Sequence, residues 1–241
     1  MKRRKFIQTS LVGLPLVTLA GTSQADFEKR QVTVDVINSG IGGNNSIDLL
    51  ERIDKDCLSH QPSLTILMVG TNDMNSKKYV PVNDFEKNLR SIVDRILKIK
   101  SQLVVMNLLP VYEPYLLTRH KAEFYQPEGH SGRLAQMNDL IERLAKEYTA
   151  SFLNIHHLFK QIGNVGLDPS SLIKNEANSN VTDGLHPTAD GYRVIAVALY
   201  EKIIDSKLPV EKIVCFGDSI TRGDGVPEGQ NYPAYLERLL N

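Results

Sequence analysis

Apolar residues cluster in five short runs: Val34–Asn38, Leu64–Val69, Leu103–Leu108, Ser151–Ile155 and Ile213–Phe216. These runs do not alternate apolar with polar, as a strand with one wet face would. Continuous runs of this length are expected of parallel strands covered on both faces. Between them the apolar positions recur at helical spacing. Ile47–Ser59 carries Ile47, Leu49, Leu50, Ile53 and Leu58, and Asn83–Lys100 carries Phe85, Leu89, Ile92, Val93, Ile96 and Leu97. Leu134–Tyr148, Thr188–Ser206 and Tyr232–Leu240 continue the pattern. Asp84 is placed to N-cap the second helix. The alternation of strand and helix predicts an α/β fold, a three-layer αβα domain built on a parallel sheet.

Two long connections interrupt this rhythm. Val111–Arg133 holds Tyr112, Tyr115, His120, Phe124, Tyr125 and His130, whereas Gly163–Thr182 is rich in Asn, Ser and Gly. Connections of this length in a compact domain are usually functional or mobile. The aromatic one could stack on a sugar, cover an acyl chain or simply pack. No internal repeat and no second domain are visible. In open parallel sheets, ligands bind beyond the carboxyl ends of the strands, so the residues following each strand are the ones to inspect.

The 241 residues balance 28 Lys and Arg against 28 Asp and Glu, with 41% hydrophobic and 23% charged residues. This balance gives no field for a dedicated nucleic-acid binder, and the hydrophobic content is too high for a disordered chain. The first 25 residues change the count. Lys2, Arg3, Arg4 and Lys5 precede an apolar stretch, Leu11–Ala20, which is far short of the roughly 20 residues needed to cross a bilayer. Small residues, Ser23 and Ala25, stand before a plausible cut after Ala25. This is the layout of a secretory signal peptide, and the arginine pair also resembles a twin-arginine export signal. Residues 1–25 are therefore expected to be a signal and 26–241 a single domain, exported to the periplasm or the cell exterior. No cysteine follows the apolar stretch, so a lipoprotein anchor is not expected, nor is stable membrane insertion. Without the signal, 24 basic residues face 28 acidic ones, a net charge of −4. Cys57 and Cys215 could pair in an oxidising compartment, but Cys215 lies inside an apolar run. Two free, buried thiols are expected.

Four polar loops carry candidate chemistry. Gly217-Asp218-Ser219-Ile220-Thr221 follows the last strand; a serine on such a sharp turn is placed as a nucleophile, or it is a serine in an ordinary βα turn. Asn38-Ser39-Gly40-Ile41-Gly42-Gly43-Asn44 follows the first strand. Its glycines permit close approach and a nest of backbone N–H groups suited to an oxyanion or a phosphate, although no Walker signature follows. In Gly70-Thr71-Asn72-Asp73, Asn72 can point its amide into the same cleft or close a local turn. In Asp183-Gly184-Leu185-His186-Pro187, a carboxylate three residues before an imidazole can orient the ring and stabilise its protonated form. The alternative is a surface turn before the next helix.

Taken together, these four blocks resemble the SGNH hydrolases, the GDSL-type esterases and lipases. GDSIT resembles the nucleophile block, VINSGIGG the oxyanion glycine block, GTND the asparagine block and DGLHP the Asp-x-x-His block. The resemblance spans essentially the whole chain after the signal. It implies a flavodoxin-like five-stranded parallel sheet and a serine esterase. Ser219, His186 and Asp183 would be catalytic. The backbone N–H groups of Ser219 and Gly43 and the side chain of Asn72 would form the oxyanion hole, and Asp218 and Asp73 would brace the loops. One departure is large. The nucleophile block comes first in the family and last here, 22 residues before Asn241. Moving Glu211–Asn241 ahead of Gln31 restores the family order, so the chain looks circularly permuted. Ile213–Phe216 should then pair between Val34–Asn38 and Leu64–Val69, and the helix Tyr232–Leu240 should end near Gln31.

Other motifs are weaker. Gly129-His130-Ser131-Gly132 is followed by Arg133 where a nucleophile elbow needs glycine. His156-His157 has no companion ligands at zinc spacing and is read as structural. No metal and no cofactor are implied. The expected partner is a small-molecule or glycan ester, not nucleic acid, and nothing specifies an oligomeric state. The leading expectation is an exported hydrolase of short-acyl, O-acetyl esters on a carbohydrate. The alternatives are a lysophospholipase, lipase or thioesterase, or a non-catalytic glycan-binding module on the same scaffold.

Overall fold

The computed structural model describes residues 33–163 and 165–241. The expected signal, residues 1–25, and Gln31 lie outside the described residues. The elements run β1 (Asp35–Gly40), α1 (Ser46–Asp56), β2 (Leu64–Met68), α2 (Val82–Lys98), β3 (Gln102–Met106), α3 (Glu113–Leu116), α4 (Gly129–Glu147), β4 (Ser151–Leu153), α5 (Ile155–Ile162), α6 (Glu176–Ser179), α7 (Ala189–Asp205), β5 (Lys212–Gly217), α8 (Ser219–Arg222) and α9 (Tyr232–Leu240).

The strands form one five-stranded sheet in the order β1-β5-β2-β3-β4, with every pairing parallel. The last strand in sequence is therefore interior. Gly217 at its carboxyl end is level with Gly40 of β1 and with Met68 of β2, which brings the loops after these three strands together at one edge. The expected placement of Ile213–Phe216 between the first two runs is met.

The continuous apolar runs arise because both faces of the sheet are covered. On β5, Val214 and Phe216 face a core shared with Leu49, Ile53, Phe85, Ile92 and Ile141 of α1, α2 and α4. Ile213 and Cys215 face the opposite core, with Phe159, Tyr192, Ile195, Leu199 and Leu236 of α5, α7 and α9. Each fully buried side chain of this size stabilises the fold by about 1.5–3 kcal/mol. Cys57 and Cys215 are free and buried, on opposite sides of the sheet.

Several boundaries differ from the sequence pattern. Helix α2 starts at Val82 with Pro81, not Asp84, at the N-cap. Asp84 sits in the first turn, where a carboxylate still meets the positive end of the helix. Helix α4 starts at Gly129 rather than Leu134, because the polar stretch ahead of the apolar stripe is itself helical and buries His130 and Arg133. Part of the expected long loop is thus helix. The run Ser151–Ile155 divides: Asn154 caps α5 by accepting from the His157 N–H, which ends the strand at Leu153.

Candidate active site

Ser219 opens α8 directly after β5. Asp218 makes that turn possible: its side chain accepts from the Ile220 N–H at 2.9 Å and caps the short helix. Asp218 is completely buried, and its second carboxylate oxygen has no partner among the described residues. Burial pushes this carboxyl up to about 7, against the Ile220 hydrogen bond.

His186 reaches Ser219 from the turn before α7. Its Nε2 lies 3.1 Å from Ser219 Oγ, and its Nδ1 lies 2.9 Å from Asp183 Oδ2. Burial raises the Asp183 carboxyl, but the His186 ring and the backbone N–H groups of His186 and Leu185 outweigh it and hold it at about 2. An ionised carboxylate only accepts, so Nδ1 carries the proton and Nε2 is left to accept from the serine hydroxyl.

The Asp183–His186 turn is tight. Asp183 Oδ1 accepts from Leu185 N at 2.8 Å and His186 N at 2.7 Å. Gly184 between them has φ +72°, and a Cβ there would stand 2.8 Å from both Tyr112 O and Tyr115 Cβ. The aromatic connection therefore straps this turn: Tyr112 N–H donates to Gly184 O at 2.8 Å, and Arg119 donates to the carbonyls of Thr182 and Asp183. On the other side, Lys174 N–H donates to His186 O at 2.9 Å. Further along the connection, Phe124 and Tyr125 turn into the fold, edge to face, with Arg133 stacked against both.

The glycine loop after β1 lies across α8. A Cβ on Gly40 would come within 2.1 Å of Arg222 N, and one on Gly42 within 2.6 Å of the Arg222 guanidinium. Close approach to backbone requires glycine at Gly40, whereas Gly42 faces only the end of the flexible Arg222 side chain. Gly43 is different: it has φ +76°, is exposed, and a Cβ on it would meet nothing within 4 Å. Asn72 follows β2, and its Nδ2 donates to Asn44 O at 2.9 Å while its Oδ1 accepts from Asn75 Nδ2 at 3.1 Å. These bonds fix the orientation of the amide and leave its second N–H uncommitted. Asp73, buried, accepts from Ser46 N at 3.0 Å and anchors the start of α1. Burial pushes its carboxyl up to about 6, against the bonds from Ser46.

The four loops singled out in the sequence thus converge on one edge of the sheet. The other motifs do not join them. Ser131 sits in the first turn of α4 and donates to Glu113. His156 lies within hydrogen-bond distance of Leu108 O through Nδ1. Both residues line a neighbouring cavity of about 370 Å³, together with Glu113, His130, Lys160 and Val165. Arg52 and Arg119, which hold these loops through backbone carbonyls, carry no motif in the sequence.

Residues 19–194 match the GDSL-like Lipase/Acylhydrolase family model. The matched span ends before β5, so the Ser219 turn lies outside it. The chain is 25% identical over 189 residues to the uncharacterized lipoprotein YqeF of Bacillus subtilis, covering 73% of this chain and 74% of that protein. It is 23% identical over 181 residues to an acetylxylan esterase of Geobacillus stearothermophilus, covering 72% of this chain and 74% of that one. Among solved structures, the lipase/acylhydrolase from Enterococcus faecalis superposes with a TM-score of 0.52 at 15% identity, over 70% of this chain and 74% of that one.

Proposed function

Because this chain belongs to the GDSL-like lipase/acylhydrolase family and is a carboxylic ester hydrolase, we propose that Ser219, His186 and Asp183 are its catalytic residues. Ser219 Oγ attacks the ester carbonyl as His186 Nε2 takes its proton. His186 returns that proton to the departing alcohol, and a water molecule, activated in the same way, releases the acid from the acyl-enzyme. Asp183 holds the ring and stabilises its charged form. The oxyanion is held by the backbone N–H groups of Ser219 and Gly43 and by the free N–H of Asn72. The observation that carries this reading is the unbroken series Asp183 Oδ2, His186 Nδ1, His186 Nε2, Ser219 Oγ, with contacts of 2.9 and 3.1 Å.

The substrate proposed is a short-acyl ester, an acetyl group on a carbohydrate. Similarity to an acetylxylan esterase supports this. A second reading, a longer acyl chain on a lipid or thioester, is favoured by Ile41 and Val181, each 41% exposed on the loops that carry Gly43 and Asp183. The family assignment sets aside the non-catalytic glycan-binding module. Residues 1–25 are read as an export signal and 26–241 as the working domain. Among the described residues, no helix is long and apolar enough to cross a membrane. The order of the blocks is read as a circular permutation, supported by the interior position of β5 and by a family match that stops before it.

The deciding experiment is acetate release from a panel of acetylated polysaccharides, with Ser219→Ala as control and p-nitrophenyl acetate and octanoate alongside. Loss of all turnover in Ser219→Ala with an unchanged melting temperature is expected. Full activity in that variant would remove Ser219 from the mechanism, and preference for octanoate would favour the second reading.

A further inference from the structure

Arg52 lies on α1, nine residues after Gly43, with its side chain only 12% exposed. Its guanidinium sits over the Phe216 ring, 4.6 Å from the centroid. From there it reaches the ends of β5 and β1 and the loop that follows β1. Nη2 donates to Gly217 O at 2.8 Å, two residues before Ser219. Nη1 donates to Ser39 O at 3.0 Å, at the end of β1. Nε donates to Asn44 Oδ1 at 2.6 Å, on the residue following Gly43. The carbonyl of that same Asn44 accepts the Asn72 amide. Asp56, at 3.1 Å, is the carboxylate partner of the cation. Burial disfavours the charge and pulls Arg52 below its ordinary value, opposed by Asp56. A cation is kept here against that cost, and its rigid fork of donors suits three acceptors set at fixed angles.

We propose that Arg52 is a positioning residue for the oxyanion hole. The proposal rests on the reading of Ser219, Gly43 and Asn72 as that hole. Through Gly217 it sets the Ser219 turn. Through Ser39 and Asn44 it sets the Gly43 loop, and through the Asn44 carbonyl it sets the Asn72 amide. All three oxyanion donors are thereby referred to one buried group that touches none of the reacting atoms. A lysine cannot do this: its ammonium is a point charge on a flexible stem and cannot satisfy the same acceptors in one plane.

Donor placement matters most in the transition state, so loss of this brace lowers kcat rather than raising KM. Misplacement of about 1 Å at such a site costs up to ~10²-fold in rate. The test uses the full-length enzyme with p-nitrophenyl acetate. Arg52→Lys and Asn44→Ala are made alone and in an Asn72→Ala background. Asn44→Ala removes only the Nε acceptor at a half-buried loop residue, so it keeps the question open if the Arg52 variant folds poorly. Each single variant is expected to lose about 10- to 100-fold in kcat, with KM within about twofold. Each is expected to lose much less in the Asn72→Ala background, because part of what it positions is already gone. Unchanged kcat in Asn44→Ala, a loss expressed mainly in KM, or an undiminished loss in the Asn72→Ala background would overturn the proposal. Wild-type kcat in Asn72→Ala itself would instead overturn the reading of the hole.

Discussion

Asn241 grips Val34 at both ends of its residue. Val34 N–H donates to Asn241 Oδ1 at 2.8 Å, and Asn241 Nδ2 donates to Val34 O at 3.2 Å. The end of α9 is thus fastened to the start of β1 across 207 positions of sequence. A connection between two such points can be cut or made without disturbing the core. A rearranged chain in which Glu211–Asn241 comes first, joined from Asn241 to Thr33 by a short glycine linker and ending at Ser206, is expected to fold. Its turnover of p-nitrophenyl acetate should be on the order of the parent's. An unfolded or inactive product would show that the present order of the blocks is structurally required.

The Asp183 carboxylate fixes which ring nitrogen of His186 carries the proton. In Asp183→Asn, Oδ1 can still accept from Leu185 and His186, so the turn persists, but an N–H₂ now faces Nδ1. The ring is driven to the tautomer with its proton on Nε2, pointing at Ser219, and cannot take the serine proton. A kcat loss on the order of 10²–10⁴ is expected at pH 7.5. Near-wild-type kcat would place the base elsewhere.

Gly184 is the point where the aromatic strap meets this turn. Gly184→Ala must place a Cβ 2.8 Å from Tyr112 O at a φ of +72°. Backbone strain of this kind costs about 1 kcal/mol before any clash is counted. The expected result is a lower melting temperature together with a reduced kcat, since Asp183 and His186 flank the displaced residue. A lower melting temperature with unchanged kcat would show that the strap supports the fold without holding the pair.

Much of this was legible in the sequence, for identifiable reasons. Strand β5 stood out because a residue covered on either face must be apolar, leaving an unbroken run at Ile213–Phe216. The Ser219 turn and the Asp183–His186 pair stood out because their chemistry needs fixed residue types at short spacing. Arg52 did not. On an amphipathic helix, an isolated arginine looks like a solvated charge, and only the fold reveals that the ends of β1 and β5 meet around it. Helix α5 was hidden for a different reason. Ile155 is apolar whether it ends a strand or begins a helix, and the Asn154 cap that decides between them is one polar residue inside an apolar run.

The thiols offer a direct check on burial. Burial pushes Cys57 up to about 11 and raises Cys215 further, and thiolates are the reactive form. Neither should react with iodoacetamide in the native protein at pH 8, and both should react in guanidinium chloride. Native labelling of either would mean that the layer covering it opens readily.

Asp218 gives stability a pH dependence of unusual sign. An unfolded aspartate titrates near ~3.9, whereas burial pushes Asp218 up to about 7, with Asp73 and Asp224 adding to the rise and His186 opposing it. Between about pH 4 and pH 7 the folded protein therefore holds a proton that the unfolded chain has released. Stability falls as pH rises through that window, since the folded state binds more protons. Asp73, pushed up to about 6, acts in the same direction. Asp183, held at about 2, acts oppositely: the stability it contributes is present above about pH 4 and is lost as pH falls towards 2. Asp218→Asn keeps an acceptor for the Ile220 N–H and removes one titration. Urea unfolding at pH 4.5, 6 and 7.5 should show the variant gaining on the wild type as pH rises. Parallel profiles for the two proteins would mean that Asp218 is ionised in the fold throughout this range, with its second oxygen satisfied by a partner such as a bound water.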